Sequence, residues 1–137
     1  MKYLLDTNIC VFSLRGKFDV DAAIDKVGWD NCYISEITVL ELKYGAELSF
    51  QRDGIDRSPQ LQKFLSAINT LPITDALDLA AKEKIRLRLA GTPADDDFDL
   101  LIACTSIVNG MVMVTDNIKD FKNVRGINLQ NWINRTS

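Results

Sequence analysis

Histidine is absent from the 137 residues. That absence excludes Ser-His-Asp and Cys-His triads, zinc sites built on imidazole, and any histidine general base. Cysteine is scarce, with Cys10, Cys32 and Cys104 making an odd count that contains no CxxC. Each has apolar neighbours, so the three read as buried free thiols of a reducing cytoplasm rather than a disulfide framework or metal site. No apolar run approaches the ~20 residues that span a bilayer. Asp6 interrupts the N-terminal "MKYLLDTNIC" before a signal-peptide core can form. A basic excess is missing too: the net charge is -3 and the pI about 4.9, unlike an ordinary nucleic-acid binder. Net charge is a sum, however. Acids gathered round a divalent cation lower the pI and are still neutralised where they work.

What is present is an ordinary globular composition, 47% hydrophobic and 26% charged, of a size that suits one domain over residues 1–137. "KYLL" reads as a short buried strand stopping at Asp6-Thr7-Asn8. Helical stretches follow to about Leu14 and from Val20 to Val27. "CYIS" is a second strand, with Ser35 placed to cap a helix that runs to about Phe50. The polar "QRDGIDRSPQ" reads as a surface loop, and Leu61, Phe64, Leu65 and Ile68 as the stripe of the next helix. "TLPIT" suits an edge strand, where Pro72 is tolerated. From a cap at Asp75, the residues Leu77, Ala81, Ile85 and Leu89 fall four apart up to a stop at Gly91. "MVMV" is a buried strand ending at Thr115-Asp116-Asn117, and "GINLQNW" adds a last short one. Strands alternating with amphipathic helices predict an α/β sandwich on a largely parallel sheet.

Sites in such sheets form beyond the carboxyl ends of the strands. Asp6 and Asp116 each end a strand directly, and Glu41 lies in a helix that starts just after one. Ile37, Tyr44 and Leu48 share its helical spacing, so its carboxylate falls in an apolar stripe, where it needs a partner. The stretch "PADDDFDLLIACT" puts four aspartates between positions 95 and 99. Asp95, Asp96 and Asp97 suit a helix cap and first turn, favoured by the helix dipole. Asp99 lies past the cap between apolar neighbours, which makes it the better candidate for chemistry. Converging carboxylates cannot all ionise without a countercharge. Mg2+ or Mn2+ would supply one and could activate water, which replaces the missing histidine as the source of a nucleophile.

Four blocks, "YLLDTNI", "ISEITVLELKYG", "GTP...DFDLLIA" and "MVMVTDNIKDF...INLQNW", occur in an order and spacing that resemble a PIN-domain ribonuclease of the VapC toxin type. The resemblance covers nearly the whole chain. It implies a small α/β/α sandwich, Mg2+- or Mn2+-dependent endoribonuclease activity, a homodimer, and a cognate VapB-type antitoxin lying across the active groove. It also implies an acidic quartet of Asp6, Glu41, Asp99 and Asp116, with Asp6 and Asp99 as direct metal ligands. Glu41 would bind metal or orient its water, and Asp116 would complete a second or water-mediated site. Thr7 and Asn8 would support Asp6, and Thr115 would bond near the metal or scissile phosphate.

Two other classes fit parts of the pattern. A receiver-like Mg2+-binding signalling domain needs an adjacent acid pair after the first strand, where this chain has Asp6-Thr7, and a strand-end aspartate near mid-chain, which it lacks. A non-catalytic PIN-like interaction module has no need of the full set of acids. The basic run "KEKIRLR" either lines an RNA groove or forms a solvated exterior, since its charges spread over two helix faces.

Overall fold

A computed structural model describes residues 1–135. Five parallel strands form one sheet: β1 (Tyr3–Leu5), β2 (Cys32–Ser35), β3 (Asn69–Leu71), β4 (Val112–Val114) and β5 (Leu129–Gln130). Their order is β3-β2-β1-β4-β5. The chain therefore builds outward from β1 in one direction, then returns to add β4 on the other side. The reversal leaves a crevice at the carboxyl ends of β1 and β4, the place where parallel sheets put their sites.

The strands are short, and their side chains divide the core in two by simple alternation. Leu4 and Met113 face one layer, with α5 (Leu77–Leu89) and α6 (Asp97–Val108). Leu5, Ile34 and Val114 face the other, with α1 (Thr7–Leu14), α2 (Val20–Val27) and α4 (Ser58–Ala67). Sequence expectation and structure agree on this three-layer sandwich. Cys10, Cys32 and Cys104 are buried and unpaired, split between the same two layers. Among the described residues no helix is long and apolar enough to cross a membrane.

Three local expectations change. The helix after Ser35, α3, runs from Glu36 to Asp53 and absorbs the start of the expected loop; Gly54, at φ +68°, ends it. Only a glycine turns there without strain. Asp75 lies in a 3-10 turn, Thr74–Ala76, and caps nothing. The third change concerns α5. Its buried face is Ala80, Glu83 and Leu87, whereas Leu77, Ile85 and Leu89 are exposed, Leu89 by 83%. Spacing alone could not choose between these faces, because a glutamate stands in the buried one.

Burial of Glu83 is possible because its bonds are supplied inside the fold. The Arg86 guanidinium pairs with it through Nη2 and through Nε at 2.6 Å, and Arg125 N–H donates at 3.2 Å. Arg86 also donates to the Asn123 carbonyl at 2.7 Å, tying α5 to the loop before β5. Part of "KEKIRLR" is thus an internal clasp. Burial pushes the Glu83 carboxyl up, but the Arg86 and Arg125 bonds outweigh it and hold its pKa below the usual value. Arg86→Ala leaves a buried carboxylate unpaired and should cost about 2–4 kcal/mol in urea unfolding. A lowered folded pKa stabilises the protein above the ordinary glutamate pKa, and that gain is lost as pH falls through the folded value. The gap between wild type and Arg86→Ala should accordingly close in acid; a gap that is small and independent of pH would refute the clasp.

Candidate active site

The ends of β1, β2 and β4 and the starts of α1, α3 and α6 meet in the crevice. The β1–β4 register pairs Leu5 with Val114, so the next residues, Asp6 and Thr115, lie side by side. Asp6 N–H donates to the Val114 carbonyl at 2.9 Å, which continues the ladder by one step. The Asp6 side chain is 5% exposed and caps α1. Its Oδ1 accepts from Thr7 N–H and its Oδ2 from the Thr115 hydroxyl, each at 2.8 Å. Thr115 Oγ1 in turn accepts from Asn117 N–H at 3.0 Å, which fixes the hydroxyl for that donation. Burial raises the Asp6 pKa, the Thr115 and Thr7 bonds oppose it, and the charges of Glu41 and Asp120 raise it further.

Glu41 arrives from α3. Ser35 ends β2 and its hydroxyl accepts from Ile37 N–H at 3.0 Å, which starts that helix at the crevice. Glu41 Oε1 accepts the Thr7 hydroxyl at 2.6 Å, and Thr38 Oγ1 lies 3.0 Å from Thr7 Oγ1. The expected apolar stripe around Glu41 is only half real: Ile37 is buried, but Tyr44 and Leu48 are exposed. Thr7 therefore bridges Asp6 and Glu41, by its N–H to one and its hydroxyl to the other.

Asp99 stands in the first turn of α6, half-buried. Its pKa is pushed up to about 7, first by burial and then by the charges of Asp6, Asp96, Glu41 and Asp120. The neighbouring aspartates have separate jobs. Asp96 is the cap, its Oδ1 accepting from Phe98 N–H at 2.8 Å and Asp99 N–H at 3.3 Å. Asp97 faces outward to Lys84 at 2.9 Å. Asp95 lines, with Asp96, Asp99 and Asp120, a cavity of about 290 Å3. Among the described residues no ion pair includes Asp6, Glu41, Asp99 or Asp120.

Asp116 is placed differently. Both of its oxygens face the Arg135 guanidinium, at 2.8 and 2.5 Å, and Asn131 donates to Oδ1 at 3.2 Å. The Arg135 hydrogen bond holds its pKa below the usual range. Arg135 also stacks over the Phe18 ring, 5.1 Å from the centroid. Besides Glu41, the acid whose charge reaches both Asp6 and Asp99 is Asp120, on the four-residue α7 (Ile118–Phe121). Sequence reasoning missed it. The signal was there: Ile118 and Phe121, three apart, mark one turn of helix after the strand end and carry Asp120 back over the crevice. The buried Asn8 Oδ1 has no hydrogen-bond partner among the described residues.

The fit to a divalent cation rests on this donor set. Among the described residues no three acidic, cysteine or histidine side chains are already placed to hold a metal together. Mg2+ does not need three, since it keeps several waters and is held by one or two carboxylates. Among the described residues Asp6 and Asp99 are oxygen donors with raised pKa values and no basic partner, and the Asn8 oxygen is an acceptor without a donor. The residues fit a hard cation.

Comparison with known proteins agrees with the architecture. The family model described as PIN domain matches residues 3–127. The tRNA(fMet)-specific endonuclease VapC of Shigella flexneri is 32% identical over 134 residues, covering 96% of this chain and 98% of its own. Ribonuclease VapC2 of Rickettsia felis is 31% identical over 135 residues, with the same coverage of both chains. Among solved structures, VapBC2 from Rickettsia felis bound to a promoter DNA fragment superposes with a TM-score of 0.85 at 29% identity, covering 96% and 99% of the two chains. DNA-bound VapBC from Salmonella typhimurium gives 0.83 at 28%, covering 96% and 98%. With the family model over most of its length and full-length relatives above 30% identity, the chain belongs to the PIN-domain family, among the VapC ribonucleases.

Proposed function

We infer that this chain is a Mg2+- or Mn2+-dependent endoribonuclease, the toxin of a toxin–antitoxin pair, acting in the cytoplasm as one domain over residues 1–137. The observation that carries the reading is the Asp6–Asp99 pair. At the sheet's switch point burial raises both pKa values, the charge of Asp6 raises that of Asp99 further, and among the described residues no cationic side chain pairs with either. A fold that needed only structure from these positions would be more stable with one of them neutral. The relatives named ribonuclease and endonuclease supply the reaction class. The VapBC complexes supply the partner, a VapB-type antitoxin.

Asp6 and Asp99 would hold the cation, with Glu41 and Asp120 acting through its waters. When bound, the ion lowers the pKa of a water and clamps a phosphodiester for in-line attack. The protein's own part is orientation. Thr7 and Thr115 each hold one Asp6 oxygen by a hydrogen bond, fixing the plane of the carboxylate while leaving a lone pair on each oxygen. The Thr38 hydroxyl donates to Thr7, which donates to Glu41, so Glu41 is aimed by a two-hydroxyl relay. Asp120 takes the fourth place in this proposal, because Asp116 is already neutralised by Arg135. A homodimer would cover apolar surface that the monomer leaves in water: Leu40 and Tyr44 on α3, and Leu77, Ile85 and Leu89 on α5.

Purified protein freed of antitoxin should cleave single-stranded RNA with Mg2+ or Mn2+ and stop on chelation; undiminished cleavage in excess chelator would sink the metal mechanism. The acids should separate in the same assay. Asp99→Asn is expected to lower the rate by about 100-fold or more, because it removes charge from the reacting centre. Asp120→Asn should cost about 10-fold. Asp97→Asn removes only an exposed ion pair and a first-turn dipole contact, each worth less than about 1 kcal/mol, and should cleave nearly as wild type. Equal losses in Asp97→Asn and Asp99→Asn, both still folded, would show that the site has been drawn on the wrong face of α6.

A further inference from the structure

Glu41 borders two spaces. On one side is Thr7 with Asp6; on the other is a cleft of about 220 Å3 between α1, α3 and α4. Leu14 and Leu61 give the cleft an apolar wall, and Arg15, Arg57 and Gln60 line it with polar groups. Arg15 follows the last turn of α1 and Arg57 precedes the first turn of α4, so both guanidinium groups stand on helix ends fixed by the core. Both are exposed, and neither takes part in an ion pair among the described residues. The cavity beside Asp99 is acidic on balance, with Asp95, Asp96 and Asp120 against Lys119. Charge thus changes sign across the site, and a polyanion held at the centre is drawn toward the arginines.

Gly45 is a second, independent pointer. It lies inside α3, where glycine costs roughly 0.5–1 kcal/mol against alanine. Nothing lies within 4 Å of where its Cβ would be, and the position lines the cleft. Packing within the chain does not account for this glycine.

We propose that the α1–α3–α4 cleft is a nucleotide subsite for single-stranded RNA next to the scissile phosphate, with Arg15 and Arg57 holding flanking phosphates and the apolar wall taking an unstacked base. Guanidinium groups grip phosphate oxygens in fork geometry, and unpaired RNA can splay a base onto an apolar surface. The proposal rests on the ribonuclease reading of the adjacent acids.

The test measures binding without turnover. A fluorescein-labelled 2′-O-methyl RNA, which resists cleavage, is titrated with antitoxin-free protein in chelator and read by anisotropy at several salt concentrations. Arg15→Gln and Arg57→Gln should each raise Kd about 10-fold. Each should also reduce the slope of log K against log salt by about 0.7, the loss of one single-strand phosphate contact. Gly45→Leu should raise Kd while melting no lower than wild type, a combination that a folding defect cannot produce. Lys26→Gln, on α2, should bind as wild type. Variants at Arg15, Arg57 and Gly45 that bind as Lys26→Gln does, in a protein that cleaves RNA, overturn the subsite alone. Polyglutamate displacing the RNA at equal length, with the arginine variants losing only that competitor, reassigns the cleft to an acidic peptide and overturns it too. Wild-type protein that neither binds nor cleaves RNA overturns the ribonuclease reading, and the subsite with it.

Discussion

The whole site hangs on the pairing of β1 with β4. Parallel register brings Asp6 beside Thr115, and the last ladder bond, from Asp6 N–H to the Val114 carbonyl, leaves no freedom in where the carboxylate begins. A carboxylate so nearly buried is costly unless its oxygens are bonded. Thr7 and Thr115 supply those bonds from the two strand ends. Backbone geometry, in other words, pays for the placement of a charge that folding alone would reject. Thr7 then passes the constraint on to Glu41, so that a residue 34 positions away is registered against the same strand end.

Electrostatics divides the acids of this region into two kinds. Asp116 has Arg135, Asp97 has Lys84, and Glu83 has Arg86; these charges are answered within the chain. Among the described residues Asp6 and Asp99 are not answered, and the charge of Asp6 raises the cost of ionising Asp99. Asp96 contributes to that strain and to the helix at once, capping α6 while adding negative charge beside Asp99. A run of four aspartates that looks uniform in sequence is therefore one cap, one exposed partner of lysine, one cavity-lining residue and one unanswered acid.

Much of this was legible in the sequence, for definite reasons. Buried parallel strands are short apolar runs, so "KYLL", "CYIS" and "MVMV" announced themselves. Strand ends, and acids set among apolar residues, singled out Asp6, Glu41 and Asp99 as candidates, and the structure brings these three within reach of one another. Two of the differences share a cause, a contact between distant segments. The face of α5 turned on Arg86 and Arg125 making Glu83 tolerable inside. Asp116 was removed from the acid cluster by Arg135 and Asn131, from a terminal segment with no periodicity to read. Asp120 was overlooked because α7 has only four residues, too few for a pattern to stand out.

Asp99 is a crowded carboxyl that ionises reluctantly unless a cation stands beside it, and the measurement that tests this is melting temperature against pH. Its folded pKa of about 7 lies above the ordinary 3.8. Between those values the folded protein keeps a proton that the unfolded chain releases, so metal-free stability must fall as pH rises through the window. Asp99→Asn should flatten that part of the profile. Mn2+ at pH 7.5 should raise the wild-type melting temperature by binding the folded state, and raise that of Asp99→Asn far less. Superimposable pH profiles for the two proteins, with equal shifts on adding Mn2+, would contradict the account.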